Sequence, residues 1–133
     1  MPNKLVAYLA DRGSWDSLVA GADRLSYGWS GYVLATLLPY LDEQGVALME
    51  SSYGKSLTEA RQGTCFALTP EHRRFLDRLD AARFDGQVLR AHYEVFNETS
   101  AEGVELAMLD GIRFLQAAIG RLRDGTVGLL VIE

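Results

Sequence analysis

The sequence predicts an α/β domain, with α+β as the alternative, in which about four strands form a single layer of mixed sheet and about five helices pack against it. Two observations lead to this prediction. Short apolar runs that are typical of buried strands lie near both ends of the chain, at Lys4–Ala10 and Thr126–Ile132. Between them, apolar residues recur at intervals of three and four, as they do on amphipathic helices. The length of 133 residues and the hydrophobic content of 48% suit one domain over residues 1–133.

The chain is predicted to begin with the strand Lys4–Ala10. Ser14 is a good N-cap residue, so a short helix that carries Trp15 and Leu18 on its apolar side is expected to follow. Residues 26–31 are rich in glycine and serine, which predicts a loop.

The second helix is predicted from Tyr32 to Gln44, because apolar residues follow one another there at helical spacing. Pro39 is expected to kink or restart this helix, since proline has no amide donor and clashes with the preceding turn. Gly45 suits the left-handed residue that often follows a helix. The next segment, Val46–Glu50, is predicted to be a strand.

A polar stretch separates the two halves of the chain, and the strand Thr64–Leu68 is predicted to open the second half. Thr69-Pro70-Glu71 combines a capping hydroxyl, a proline for the first helical position and an acid for the first turn, which predicts a helix start. Another helix is expected over Val88–Phe96. The longest helix is predicted from Ala101 to Arg123, before the last strand.

Charge and cysteine content exclude some functional classes. Thirteen basic and eighteen acidic residues give a net charge of −5, whereas nucleic-acid-binding domains usually carry a basic stripe. We therefore expect no nucleic-acid partner. No apolar run approaches the roughly 20 residues of a membrane span, and no signal peptide is predicted. With Cys65 as the single cysteine, an intrachain disulfide is impossible, so a cytoplasmic location is expected.

No motif in the sequence predicts a catalytic residue, a metal site or a cofactor. Gly54-Lys55-Ser56 resembles the end of a phosphate-binding loop, but Met49 occupies the position of its first glycine. His72 is expected to be exposed, and His92 to be a core or boundary histidine whose ring is satisfied. Cys65 is expected to be a small buried hydrophobe, because no base is visible near it.

A pocket, if the chain has one, is predicted where the strand Val46–Glu50 ends and the polar loop begins. Active sites of α/β proteins commonly lie at strand ends and the adjoining loops. The candidate pocket residues are Glu50, Tyr53 and Arg61. The alternative, a solvated polar connection, is favoured because such loops are common.

Two other segments are candidate partner-binding surfaces. The first contains Tyr27 and Trp29, which are flanked by small residues; tyrosine and tryptophan are enriched in binding hot spots. The alternative is that these rings cover the edge of the core.

The second candidate surface is acidic. Between Arg90 and Arg113 the chain has no basic residue, and the acidic residues Glu94, Glu98, Glu102, Glu105 and Asp110 follow one another. Some of them would share one helix face. Such a face can steer a basic partner, although most acidic runs are simply solvated.

Three functional hypotheses follow. The first is a non-enzymatic module that binds a protein partner, with an inhibitor of a basic protein, such as an immunity protein against a bacterial toxin, as a concrete case. The second is a small enzyme or ligand-binding domain that uses the candidate pocket. The third is a self-associating subunit that pairs through the apolar helix residues Leu37, Leu38 and Leu41. We rank the binding module first, because no catalytic constellation is present.

Overall fold

The computed structural model describes residues 15–19, 25, 27–49, 65–97 and 102–132. This part of the chain is a mixture of helices and strands, which confirms the predicted class at that level. The four α-helices are α1 (Trp15–Val19), α2 (Gly31–Glu43), α3 (Gly86–Asn97) and α4 (Val104–Gly120). The two strands are β1 (Cys65–Leu68) and β2 (Gly128–Val131), and 3-10 helices cover Pro70–Phe75 and Ala81–Arg83.

The sheet of the described residues has two antiparallel strands. Cys65 of β1 lies opposite Val131 of β2, and Leu68 lies opposite Gly128. The predicted strand at Thr64–Leu68 is therefore confirmed, as is a strand within Thr126–Ile132. This last strand was expected to be buried, but Leu130 is the only buried residue of β2. The predicted strand Lys4–Ala10 lies outside the described residues, and the four strands and five helices expected from the sequence are not confirmed.

Helix α2 follows its prediction closely but passes through Pro39 without restarting. Loss of a helical hydrogen bond and the ring clash cost about 3 kcal/mol. Leu37, Leu38 and Leu41 surround the proline in sequence and are all buried in the core, so their packing favours a continuous helix. Gly45 has a φ of +86° and adopts the predicted left-handed conformation.

The segment after α2 is not a strand, contrary to the prediction for Val46–Glu50. Val46 and Leu48 are buried and alternate with less buried neighbours, which produces a strand-like pattern. The Val46 amide instead donates to the Leu41 carbonyl at 2.8 Å and completes the end of α2. Glu50 lies outside the described residues.

The helix predicted to start at Thr69-Pro70-Glu71 begins there as a 3-10 helix, Pro70–Phe75. His72 was expected to be exposed, but it is only 3% exposed, and its Nδ1 accepts a hydrogen bond from the Thr69 amide at 3.1 Å. Residues three apart share a face in a 3-10 helix, so His72 points inward together with Phe75.

Helix α4 packs against both α2 and α3 at the centre of the core. The contact with α2 is close at Gly111, where a Cβ atom would lie 2.9 Å from Cδ2 of Leu37. Between α2 and α3, Asn97 Nδ2 donates to Thr36 Oγ1 at 2.9 Å. The three helices therefore form one packed unit that carries the surface described below.

Candidate functional site

The loop that precedes α2, residues 27–30, is anchored on α4 through Tyr27. The Tyr27 hydroxyl donates to the Ala107 carbonyl at 2.6 Å, and its ring lies 5.6 Å from that of Phe114. Burial raises the pKa of Tyr27 above its usual range, and the nearby Asp110 carboxylate raises it further. Ser30 ends the loop by accepting a hydrogen bond from the Tyr32 amide at 3.2 Å, which caps α2.

Trp29 lies across the start of α4 and remains 38% exposed. Its Nε1 donates to Oδ2 of Asp110 at 3.0 Å. A Cβ atom at Gly103 would lie 3.4 Å from Cζ3 of the indole, so a glycine there lets the ring lie close to the backbone. Gly103 also has a φ of +77°, which glycine adopts without strain.

Leu106 and Glu102 complete the exposed surface beside Trp29. Leu106 is 52% exposed, and Glu102 is exposed just before the helix. Positions four apart on α4 share a face, which places Leu106 next to Asp110. We call Trp29, Glu102, Leu106 and Asp110 the acidic–aromatic surface.

The two candidate surfaces predicted separately from the sequence are therefore neighbours. Trp29 and Asp110 are 81 residues apart in sequence and are joined by a direct hydrogen bond. The structure thus brings together Tyr27, Trp29 and Glu102 of the predicted partner-binding residues. Leu106 was missed, although it lies two positions from the buried Val104 and Met108, so that helical spacing already places it away from the core face. In the structure it is 52% exposed.

Two of the predicted acidic residues, Glu94 on α3 and Glu105 on α4, are partly neutralised. Glu94 accepts from Nε of Arg90 at 2.9 Å, and Glu105 accepts from the NH1 group of Arg90 at 3.4 Å. Arg90 precedes the acidic run in sequence, but the packing of α3 on α4 places it between these two carboxylates. The acidity inferred from the sequence is therefore reduced. Glu98 lies outside the described residues.

The remaining carboxylates differ in their partners. Asp110 Oδ1 accepts from the NH1 group of Arg113 at 2.7 Å, while Oδ2 accepts from Trp29. Glu102 makes no ion pair with any other residue that the structure describes. Of the acidic–aromatic surface, Glu102 has the carboxylate most available to a cationic partner.

The predicted pocket residues Glu50, Tyr53 and Arg61 all lie outside the described residues. Cys65 is buried in β1, as expected. His92 is half-buried between Tyr40 and Phe96, with ring centroids 4.8 and 5.9 Å away. Its ring was expected to be satisfied, but Nε2 is buried, and none of the residues that the structure describes gives it a hydrogen-bond partner.

Over the described ranges, no three histidine, cysteine or carboxylate side chains are close enough together to hold a metal ion. In the same ranges, no helix has both the length and the apolar character that a membrane span requires. Comparison with protein-family models, curated proteins and solved structures gave no match.

Proposed function

We propose that this chain is a non-enzymatic module that binds a basic protein partner through the acidic–aromatic surface. An inhibitor, such as an immunity protein that covers the active site of a toxin, is the concrete case of this proposal. The observation that carries it is the hydrogen bond from Trp29 to Asp110, which fixes a partly exposed indole beside the partly exposed Asp110 carboxylate.

The first support is the fixed position of the loop. Tyr27 and Trp29 each donate to α4, and Ser30 caps α2, so the loop is tied at three points. A side chain that is already ordered loses less conformational entropy on binding. Trp29 therefore offers exposed aromatic area at low entropic cost, as tryptophan hot spots do.

The second support is the charge around the indole. Glu102 and Asp110 border the exposed apolar side chains, and an apolar centre with a charged rim is typical of transient protein interfaces. A partner with lysine and arginine opposite these carboxylates would be attracted at long range, which raises the association rate.

Self-association through Leu37, Leu38 and Leu41 is not supported, because all three side chains are buried within this chain's own core. A pocket near Glu50 stays a prediction.

Affinity capture from a lysate of the source organism tests the proposal. The wild-type chain should retain one stoichiometric basic protein at low salt and lose it as salt rises, because exposed charges are screened. The double variant Trp29→Ala, Glu102→Lys should retain little of it. Glu71→Lys is the matched control, since Glu71 is also exposed but belongs to the first 3-10 helix.

Equal retention of the partner by the double variant would contradict the proposal. A captured partner of acidic composition would contradict it as well, because the surface has no excess of cationic groups to receive it.

A further inference from the structure

A cleft away from the acidic–aromatic surface separates the C-terminal end of α2 from the segment that leads into α3. Its volume is about 320 Å³, within the range of small-molecule sites. The apolar part of its lining consists of Tyr40, Val46, Phe84 and Val88. Two of these four are aromatic, which suits an apolar ligand with a ring of its own.

Arg78 forms part of the polar lining and is held in place. Its two terminal nitrogens donate to the carbonyl oxygens of Gln44 and Gly45, the latter at 3.3 Å. These carbonyls follow the last turn of α2, which has no basic residue of its own. The guanidinium thus stabilises the negative end of the helix, and its charge stays at the edge of the cleft.

Arg83 is the second cation of the cleft. It is exposed, and it forms no ion pair with the residues that the structure describes. The one acidic side chain in the lining, Asp85, uses Oδ1 to accept from the Gln87 amide at 2.8 Å, which caps α3. Two guanidinium groups and one carboxylate leave one net positive charge, in a chain whose total charge is −5.

We propose that this cleft binds a small aromatic monocarboxylate. A planar guanidinium such as that of Arg83 can donate two parallel hydrogen bonds to a carboxylate. The single net charge of the lining matches a monoanion. Phe84, Val88 and Tyr40 line the same cleft as these cations, so they would contact the ring of the ligand.

An NMR titration of the full chain with benzoate tests the proposal, with benzamide and acetate as matched probes. Benzamide keeps the ring and removes the charge, whereas acetate keeps the charge and removes the ring. Benzoate should shift the amide signals of Gln87 and Val88 in a saturable way at millimolar concentration. Benzamide and acetate should each bind at least about fivefold more weakly than benzoate.

Two variants locate the site. Arg83→Gln should weaken benzoate binding about fivefold, whereas Arg73→Gln, an exposed arginine outside the cleft, should leave it unchanged. Val88→Glu places a carboxylate in the cleft and should abolish binding. A glutamate three residues after the capping Asp85 favours the start of α3, so this variant should stay folded.

Three results would overturn the proposal. They are the absence of saturable shifts at these amides, equal affinity for benzoate and benzamide, and an unchanged benzoate affinity in Arg83→Gln. If acetate bound as tightly as benzoate, the apolar lining would not contact an aromatic ring, and the aromatic part of the proposal would be wrong.

Discussion

The close contact between α2 and α4 predicts opposite effects for one substitution at two glycines of the same helix. At Gly111 a Cβ atom would lie 2.9 Å from Cδ2 of the buried Leu37, closer than van der Waals contact permits. At Gly120, the last residue of α4, a Cβ atom would meet nothing within 4 Å. Gly111→Ala and Gly120→Ala are therefore a matched pair.

The magnitudes follow from two terms of opposite sign. Replacing glycine by alanine in a helix stabilises it by about 1 kcal/mol. Overpacking a core costs about 1–3 kcal/mol. We expect Gly111→Ala to lower the free energy of unfolding by about 1 kcal/mol, or roughly 3–5 °C in Tm, from these terms. Gly120→Ala should raise it by about 0.5 kcal/mol, because only the first term applies and helix propensity counts for less at the last helical residue than in the interior.

Urea unfolding followed by far-UV circular dichroism measures both differences. The variant Leu37→Val removes the Cδ2 atom, so Gly111→Ala should be less harmful in a Leu37→Val background than in the wild type. If Gly111→Ala were as stable as Gly120→Ala, the close packing of α2 on α4 would be wrong. The anchoring of Tyr27 on α4 would then lose its support, since a Cβ at Gly111 would also lie 3.5 Å from the Tyr27 hydroxyl.

Three further predictions concern the same region. The raised pKa of Tyr27 means that the folded state holds the phenol proton more tightly than the unfolded state does. The free energy of unfolding should therefore keep its full value at pH below the ordinary pKa of 10.0 and decrease as the pH rises above it. Tyr27→Phe should remove this alkaline loss in urea midpoints measured against pH, whereas Tyr32→Phe, at an exposed tyrosine, should not. Arg90→Gln should change the free energy of unfolding by less than about 1 kcal/mol, because its ion pairs are partly exposed, yet it should accelerate association with a basic partner in stopped-flow measurements. Ile112→Ala should cost about 2–5 kcal/mol in urea unfolding, since Ile112 is fully buried.

The sequence predicted the elements whose hydrophobic pattern is long and regular. Helices α2 and α4 lie within one to three residues of their predicted bounds, because many buried residues define their faces. Shorter patterns were ambiguous. Val46–Met49 alternates in burial as a strand does, but a helix end followed by irregular chain produces the same alternation.

The residue types of the candidate site were predictable, but their arrangement was not. Aromatic and acidic segments stood out in composition, and Tyr27, Trp29 and Glu102 were among them. The meeting of Trp29 with Asp110 depends on the packing of α2 against α4, which no local pattern specifies. The neutralising position of Arg90 depends in the same way on α3 and α4.

The association rate between this chain and its captured partner, measured over a range of salt concentrations, tests the proposed function most directly. We predict that the rate falls steeply with salt for the wild type. In Glu102→Lys it should be several-fold lower at low salt and fall less steeply, while Glu71→Lys should behave as the wild type does. If Glu102→Lys and Glu71→Lys changed the rate equally, or if neither changed it, the acidic–aromatic surface would not be the binding site.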